Sequence, residues 1–485
     1  MTDIKLPEDM KGYRLHFVGI KGTGMTALAE ICNSRGAVLS GSDVSERFYT
    51  DDILEKLNIP PVTPFSSDNI TGDIALVVYS SAYKPEENPE LIAAAERGIP
   101  CMMYSEVLGA LSAASYSCGI AGVHGKTTTT GLTGSILREL NFPAQVLAGS
   151  VITSFGDSCT LNLGHDYFVA ETCEYQRNFL RFHPRKILLT SIESDHQDYY
   201  PTYESILAAF KEYIELLPDF SEIIYCADDP GVIEAVKFIF TDRPDLVYIP
   251  YGEKAMGDFK LVYRGLKNEK QVFTLEGFSG EFRLCVPGRH NARNAAGAVA
   301  LALALLREKN DAVTPADIER IRAGLLSFRG AKRRSEVVGN AAGILFVDDY
   351  GHHPTAIATT LLGLKEFYPG RRLVVDFMSH TYSRTAALLS EFASSFGAAD
   401  EVILHKIYGS AREKYDGNVT GRKLYSKTHC RHPNVRYFEE VMDAETYLRS
   451  NLKKNDLFVT MGAGDNWKLG KALFGYFSEQ DISVL

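Results

Sequence analysis

The chain has no stretch approaching the ~18 consecutive apolar residues of a membrane span. It also has no C-x-x-C pair, no excess of positive charge and no strict G-x-G-x-x-G string. The missing apolar run, with an N-terminus (MTDIKLPEDMKGY) that carries acidic residues and no apolar core, leads to the expectation of neither a membrane span nor a signal peptide. The eight cysteines (Cys32, Cys101, Cys118, Cys159, Cys173, Cys226, Cys285, Cys430) are scattered. They indicate neither a zinc site nor a disulfide framework, and a cytoplasmic home is expected. A net charge of −10 and a pI of 5.7 argue against a nucleic-acid or membrane-surface partner. Without the dinucleotide glycine string, a simple nicotinamide oxidoreductase is disfavoured.

What is present fits a soluble globular chain, 45% apolar and 23% charged, whose 485 residues suggest about three domains at roughly 150 residues each. The most informative segment is GIAGVHGKTTTT, Gly119 to Thr130, which ends an apolar run and opens a helical stretch. A glycine-permitted turn there turns backbone N–H groups toward phosphate oxygens. The helix N-terminus adds partial positive charge, Lys126 reaches the terminal phosphates, and Thr127 is placed to ligate Mg²⁺. The match to G-x-x-x-x-G-K-[ST] is imperfect, because Ile120 stands where the first glycine should be and the nearest glycine is Gly122. The plainer reading is a Gly/Thr-rich turn between strand and helix.

Elsewhere βα alternation dominates and predicts an α/β fold of doubly wound type. Strands are expected at Tyr13 to Ile20, Ala37 to Leu39, Ile74 to Tyr79 and Ile99 to Met103, with helices at Met25 to Ser34 and Pro89 to Arg97. The small polar stretch Leu111 to Ser117 reads as a linker. Further strands follow at Tyr167 to Ala170, Lys186 to Ser191 and Glu222 to Cys226. Phe259 to Val286 changes to short alternating segments with turn signals, which suits an antiparallel section. After the basic turn Phe328 to Arg334 a new series begins, with strands near Ile344 to Val347, Arg372 to Phe377, Glu401 to Leu404 and Leu457 to Met461. No internal repeat or low-complexity tract interrupts it.

Several constellations fall where such strands end. GIKGTG, Gly19 to Gly24, is followed by Asp43 at the end of the second strand, either a nucleotide-diphosphate site or a turn that packs helix on sheet. Glu171 and Asp195-His196 follow two strands of the middle section. They are suited to hold Mg²⁺ against phosphates, although each alone is an ordinary loop residue. His290, Asn291 and Asn294 stand at the entrance of an Ala-rich helix, as caps or as partners for an adenine edge. The run Arg329 to Arg334 is a solvated turn or a source of one phosphate-binding arginine. DDYGHHPTA and SHTYSRT gather Asp, Tyr, His and Arg at two further strand ends, where His353 beside proline also reads as a helix cap.

In chain order, GIKGTGM, SGSD, SSA, GVHGKTTTT, the Glu171 strand end, SIESDH, PGRHNARNA, FRGAKRR, DDYGHHPTA, SHTYSRT and GAGDNW resemble the Mur ligases over essentially the whole chain. The resemblance implies a Rossmann-like N-terminal domain for a UDP-sugar (residues 1–111). It implies next a central P-loop ATPase domain with a parallel sheet plus a small antiparallel section (112–328). A Rossmann-like C-terminal domain (329–485) would bring the amino acid. It further implies phosphoryl transfer from ATP to a sugar-linked carboxylate, then attack by an amine, in peptidoglycan precursor synthesis. The pattern is most similar to members that join L-alanine to UDP-N-acetylmuramate, so these two and ATP are the expected small-molecule partners of a monomer or homodimer.

By position in the family pattern, Gly122, His124, Gly125, Lys126, Thr127 and Thr128 would surround the phosphates, with Asn294, Arg334 and Asp349 completing the ATP site. Thr127 and Glu171 would hold one Mg²⁺, and Glu171 with His196 a second. Tyr350, His380 and Arg384 would face the amino acid, with His352 and Arg384 near the acyl phosphate. Gly22, Thr23, Gly24, Asp43 and Ser81 would lie in the UDP-sugar part. Three departures stand out. Lys21 replaces a glycine and is expected to set a cation beside the pyrophosphate. Ser191-Ile192 replaces an asparagine position, and Glu171-Thr172-Cys173-Glu174 lacks the usual aspartate. A murein-peptide ligase that attaches a tripeptide, or a non-catalytic nucleotide-sensing scaffold, are the alternatives.

Overall fold

The computed structural model describes residues 6–7, 9–309, 312–409, 415 and 417–483; part of the N-terminal segment MTDIKLPEDMKGY lies outside them. The architecture is α/β in three domains, with mostly parallel sheets and one small antiparallel sheet. The first sheet is fully parallel, in the order Val38–Ser42, Arg14–Val18, Leu76–Tyr79, Cys101–Met103. The second has seven strands: Val247–Tyr251, Glu222–Cys226, Lys186–Leu189, Tyr116–Ala121, Tyr167–Glu171, Ala144–Ile152 and Ser158–Asn162, the last pair antiparallel. The third, Leu261–Lys267, Lys270–Leu275 and Phe282–Leu284, is the expected antiparallel section. The fourth runs Glu336–Ala341, Ile344–Asp349, Asp456–Met461, Arg372–Phe377, Glu401–Leu404, Val435–Tyr437, with only its first pair antiparallel.

Strand order positions the site. Tyr116–Ala121 is flanked by Lys186–Leu189 on one side and Tyr167–Glu171 on the other, so the three carboxyl ends open onto one crevice. These strands are buried on both faces, which is why they read as continuous apolar runs. One face packs into a core that continues from Leu15 and Phe17 of the first sheet through Phe168, Phe210 and Tyr213. The other packs on the helices Lys126–Glu139 and Arg289–Lys309 and on the antiparallel sheet. Two further clusters cover the two faces of the fourth sheet.

The expected linker Leu111 to Ser117 is corrected. Helix Tyr104–Ala113 runs through its first three residues and strand Tyr116–Ala121 begins before its end. Leu111 and Ser112 are buried, and Ser117 Oγ donates to the Ser112 carbonyl at 2.7 Å. Small size here serves close packing, with two residues left to connect.

Candidate functional site

The phosphate-loop geometry starts with two glycines. Gly122 has φ +142°, and a Cβ there would stand 2.1 Å from Thr190 Oγ1. Gly125 has φ +84°, and its Cβ would stand 2.9 Å from Asn294 Oδ1. Both demand glycine, while Ile120, at the irregular motif position, is a fully buried strand residue. The loop's glycine requirement has moved two places along the chain. The backbone N–H of His124 donates to Ser191 Oγ at 2.8 Å, so the residue at the departure from the asparagine pattern ties the loop to the neighbouring strand end.

Helix Lys126–Glu139 starts directly at the lysine. Lys126 Nζ donates to the Gly122 carbonyl and, at 2.8 Å, to Glu174 Oε2. Burial would lower the pKa of Lys126, but Glu174 carries it above its ordinary value. Burial likewise pushes the Glu174 carboxyl up; Lys126 and His196 overcome that and hold it below the usual range. One hydroxyl further in, Thr127 Oγ1 donates to Glu171 Oε1 at 3.1 Å, while Glu171 Oε2 accepts the Gly149 N–H at 2.6 Å. A hydroxyl and a carboxylate oxygen side by side at a phosphate loop are the hard oxygen donors Mg²⁺ takes.

His196 comes from the loop after Lys186–Leu189 and pairs with Glu174 Oε1 at 3.4 Å rather than with Glu171. Its φ of +55° is a left-handed conformation uncommon for a residue bearing a side chain. Asp195 Oδ1 accepts the His196 N–H at 2.7 Å and also accepts Arg384 Nε at 2.8 Å. Burial pushes the Asp195 carboxyl up, but the Arg384 guanidinium holds it far below the usual range. One carboxylate therefore joins the His196 loop to helix Tyr382–Ala387, 189 residues away.

A cavity of about 360 Å³ is lined by His124, Gly125, Lys126, Thr127, Thr128, Glu171, Asn294, Arg334, Asp349 and His352. The structure thus brings most of the expected ATP residues to one place, from strand ends of both the second and the fourth sheet. Asn294, inside helix Arg289–Lys309, donates from Nδ2 to Asn291 Oδ1 at 3.1 Å, and Asn291 donates to the Pro287 carbonyl. Asp349 accepts the N–H groups of Ser335 (2.6 Å) and Gly351 (2.7 Å), and burial raises its carboxyl despite Arg334. The guanidinium groups of Arg333 and Arg334 each lie over the Tyr350 ring, at 5.0 and 5.4 Å. His352 Nδ1 faces the Tyr350 carbonyl at 2.9 Å; burial, then Arg384, keep its imidazole neutral. Arg384 Nη1 stands 3.4 Å from His380 Nδ1.

The N-terminal group is separate from this cavity. Gly22 caps helix Thr23–Ser34, Thr23 Oγ1 meets the Tyr49 hydroxyl, and a Cβ on Gly24 would press on the Tyr104 ring. Asp43 accepts the N–H groups of Lys21 and Val44, each at 2.7 Å, and Ser81 is exposed. The expectation for Lys21 is corrected. Its ammonium is buried, donating to the carbonyls of Val44 (2.9 Å) and Glu46 (2.8 Å) and pairing with Asp51. A cation with three oxygen partners of its own pins the Val44–Asp51 segment instead of offering charge to a ligand.

Glu174 and Glu193 line or anchor the site although nothing in their own strings assigns them a task. Glu174 follows strand Tyr167–Glu171, and that strand lies directly beside the one that feeds the phosphate loop. Its ion pair with Lys126 therefore arises from strand order, which no local motif records.

Three family models match this chain: "Mur ligase family, catalytic domain" over residues 14–116, "Mur ligase middle domain" over 120–302, and "Mur ligase, glutamate ligase domain" over 333–464. The UDP-N-acetylmuramate–L-alanine ligase of Treponema pallidum is 56% identical over 475 residues, covering 98% of this chain and 99% of the relative. Among solved structures, the UDP-N-acetylmuramate–alanine ligase of Thermotoga maritima shares the fold at a TM-score of 0.76 and 24% identity, covering 96% of this chain and 99% of that one. A murein peptide ligase from Psychrobacter arcticus shares it at 0.66 and 22%, with coverage of 96% and 99%.

Proposed function

The chain belongs to the Mur ligase family, and from that premise we propose that it joins L-alanine to the carboxylate of UDP-N-acetylmuramate through an acyl phosphate, consuming ATP and forming ADP. A carboxylate is a poor acyl donor because its leaving group would be oxide, and phosphorylation removes that obstacle. The single observation that carries the reading is the gathering of Lys126, Thr127, Glu171, Asn294, Arg334, Asp349 and His352 around one cavity.

In this reading Lys126 exchanges Glu174 for the β- and γ-phosphate oxygens, since a phosphate offers more charge at the same position. Asn294 meets the adenine, Asp349 the ribose, and Arg334 a phosphate. Thr127 with Glu171, and Glu171 with His196, would hold two Mg²⁺ ions that neutralise charge during phosphoryl transfer. Tyr350, His352, His380 and Arg384 face the incoming amine and the acyl phosphate, and closure of the two sheets' loops over them excludes hydrolytic water. Gly22, Thr23, Gly24, Asp43 and Ser81 take the UDP-sugar.

The division of labour is residues 1–111 for the UDP-sugar, 112–328 for ATP and 329–485 for the amino acid. With nucleotide substrates the reaction belongs in the cytoplasm, in peptidoglycan precursor synthesis, carried out by a monomer or homodimer without nucleic-acid or membrane partners. The test is phosphate release and amide formation from UDP-N-acetylmuramate and ATP with L-alanine, glycine, L-serine or a murein tripeptide. The highest kcat/KM is expected with L-alanine. Phosphate release that does not need both acid and amine, or preference for the tripeptide, overturns the reading.

A further inference from the structure

At the edge of the nucleotide cavity two imidazoles and a carboxylate converge from both sides of the crevice; of the three, only His124 is also among the residues expected around the phosphates. His124 comes from the phosphate loop, Glu193 from the loop after Lys186–Leu189, and His353 from the residue that caps helix Pro354–Phe367. One ligand atom from each lies within 4.8 Å of the others. His124 Nε2 stands 2.5 Å from Glu193 Oε1 but makes no aligned hydrogen bond with it. His353 Nδ1 is 3.7 Å from Glu193 Oε2, and among the described residues neither of its ring nitrogens has a hydrogen-bond partner although its side chain is only 6% exposed.

A buried imidazole with both nitrogens unsatisfied is costly and needs an explanation. We propose that His124, Glu193 and His353 form a binding site for a divalent transition-metal ion of the zinc type, which links the phosphate loop to the C-terminal domain. Two imidazoles and one carboxylate are the donors such ions select, whereas Mg²⁺ takes oxygen. A tetrahedral ion at ~2.1 Å from each donor wants them about 3.4 Å apart, between the 2.5 Å of His124–Glu193 and the 3.7 Å of His353–Glu193. The frame is already held. Thr355 Oγ1 donates to Glu193 Oε2 at 2.9 Å, orienting the carboxylate as an outer partner does, and the His124 backbone is fixed by Ser191. Burial keeps His353 in its neutral, ligating form. His124, Glu193 and Thr355 also line the nucleotide cavity, so the site adjoins it.

The test is titration of the nucleotide-free full chain with Co²⁺ in excess Mg²⁺, read by visible ligand-field absorption and competed by Zn²⁺. One equivalent is expected, with affinity reduced at least tenfold in His353→Gln and in Glu193→Gln, and retained in Glu171→Gln. X-ray absorption of the zinc-loaded wild-type protein, which needs no variant, is expected to show two imidazoles on the metal. The carboxylates around Lys126 pair, among the described residues, with one imidazole, that of His196, so a spectrum with one imidazole or none overturns the proposal. So does the absence of a Co²⁺ band, or a band indifferent to His353 and Glu193.

Discussion

Two strand-to-helix turns of this chain each bury a lysine, and the two ammonium groups do opposite things. Lys21, its side chain 6% exposed, follows the first strand and reaches sideways to Val44, Glu46 and Asp51. Lys126, 12% exposed, follows Tyr116–Ala121 and stays over its own loop, held by the Gly122 carbonyl and Glu174, with the cavity beside it. Local sequence is alike in both, a glycine-rich turn opening a helix. The oxygen partners are alike in kind, two carbonyls and a carboxylate for each lysine. What differs is where they stand. Those of Lys21 all come from the Val44–Asp51 segment, whereas the carbonyls of Lys126 belong to its own loop, Gly122 and Val123, and its carboxylate, Glu174, is the partner that an anion in the adjoining cavity can replace. A buried lysine at a glycine turn marks an anion site only when open volume adjoins it.

The contrast is most exposed at Lys126. Lys126→Ala is expected to lower ligation by about three orders of magnitude with the circular dichroism spectrum unchanged, since one transition-state donor is worth about 10²–10³ in kcat. Near-normal phosphate release would contradict it. Glu174→Gln removes the exchangeable partner: kcat should fall about 10- to 100-fold, as for groups that orient others. Breaking a buried pair should also cost about 3 kcal/mol in denaturant unfolding.

Lys21→Met probes the other lysine. It should leave kcat near wild type, raise KM for the UDP-sugar by loosening Val44–Asp51, and cost about 1–2 kcal/mol. A loss of kcat matching that of Lys126→Ala would erase the distinction drawn between the turns.

The mildest change is expected where the two regions meet. Glu30, on helix Thr23–Ser34, accepts from Ser158 Oγ at 2.5 Å and from the Cys159 N–H, and burial pushes its carboxyl up to about 7. A raised carboxyl holds its proton in the folded state, so its contribution is full below the unfolded value of 4.5 and is lost as pH rises through 7. Glu30→Gln should therefore melt about 2–3 °C above wild type at pH 8, a gap that closes toward pH 5. A pH-independent gap would count against burial as the cause.

Much of the fold was legible because apolar runs and glycine turns are local signals. Arg372–Phe377 and Glu222–Cys226 fall where periodicity puts them. Two of the strands that escaped are of another kind. Glu336–Ala341 is a half-exposed edge strand with a glycine inside, and Ala144–Ile152 mixes Gln145, Gly149 and Ser150 into a buried run. Neither has the composition of a strand, and both are made by their neighbours. The site divides similarly. Lys126, Glu171 and Asn294 stand in strings with their own chemistry, whereas Glu174 and Asp195 acquire theirs from partners 48 and 189 residues away. Lys21 shows the converse, a residue whose type was plain and whose direction was not.

Asp195 ties the two halves of the crevice to each other. The same carboxylate holds the His196 backbone N–H and the Arg384 guanidinium; under the roles proposed above for these two residues, neither half of the chemistry can be retuned there in isolation. An engineer seeking to widen the choice of amine through Arg384 would disturb nucleotide handling in the same stroke, and a protein drifting toward a new acceptor faces the same coupling.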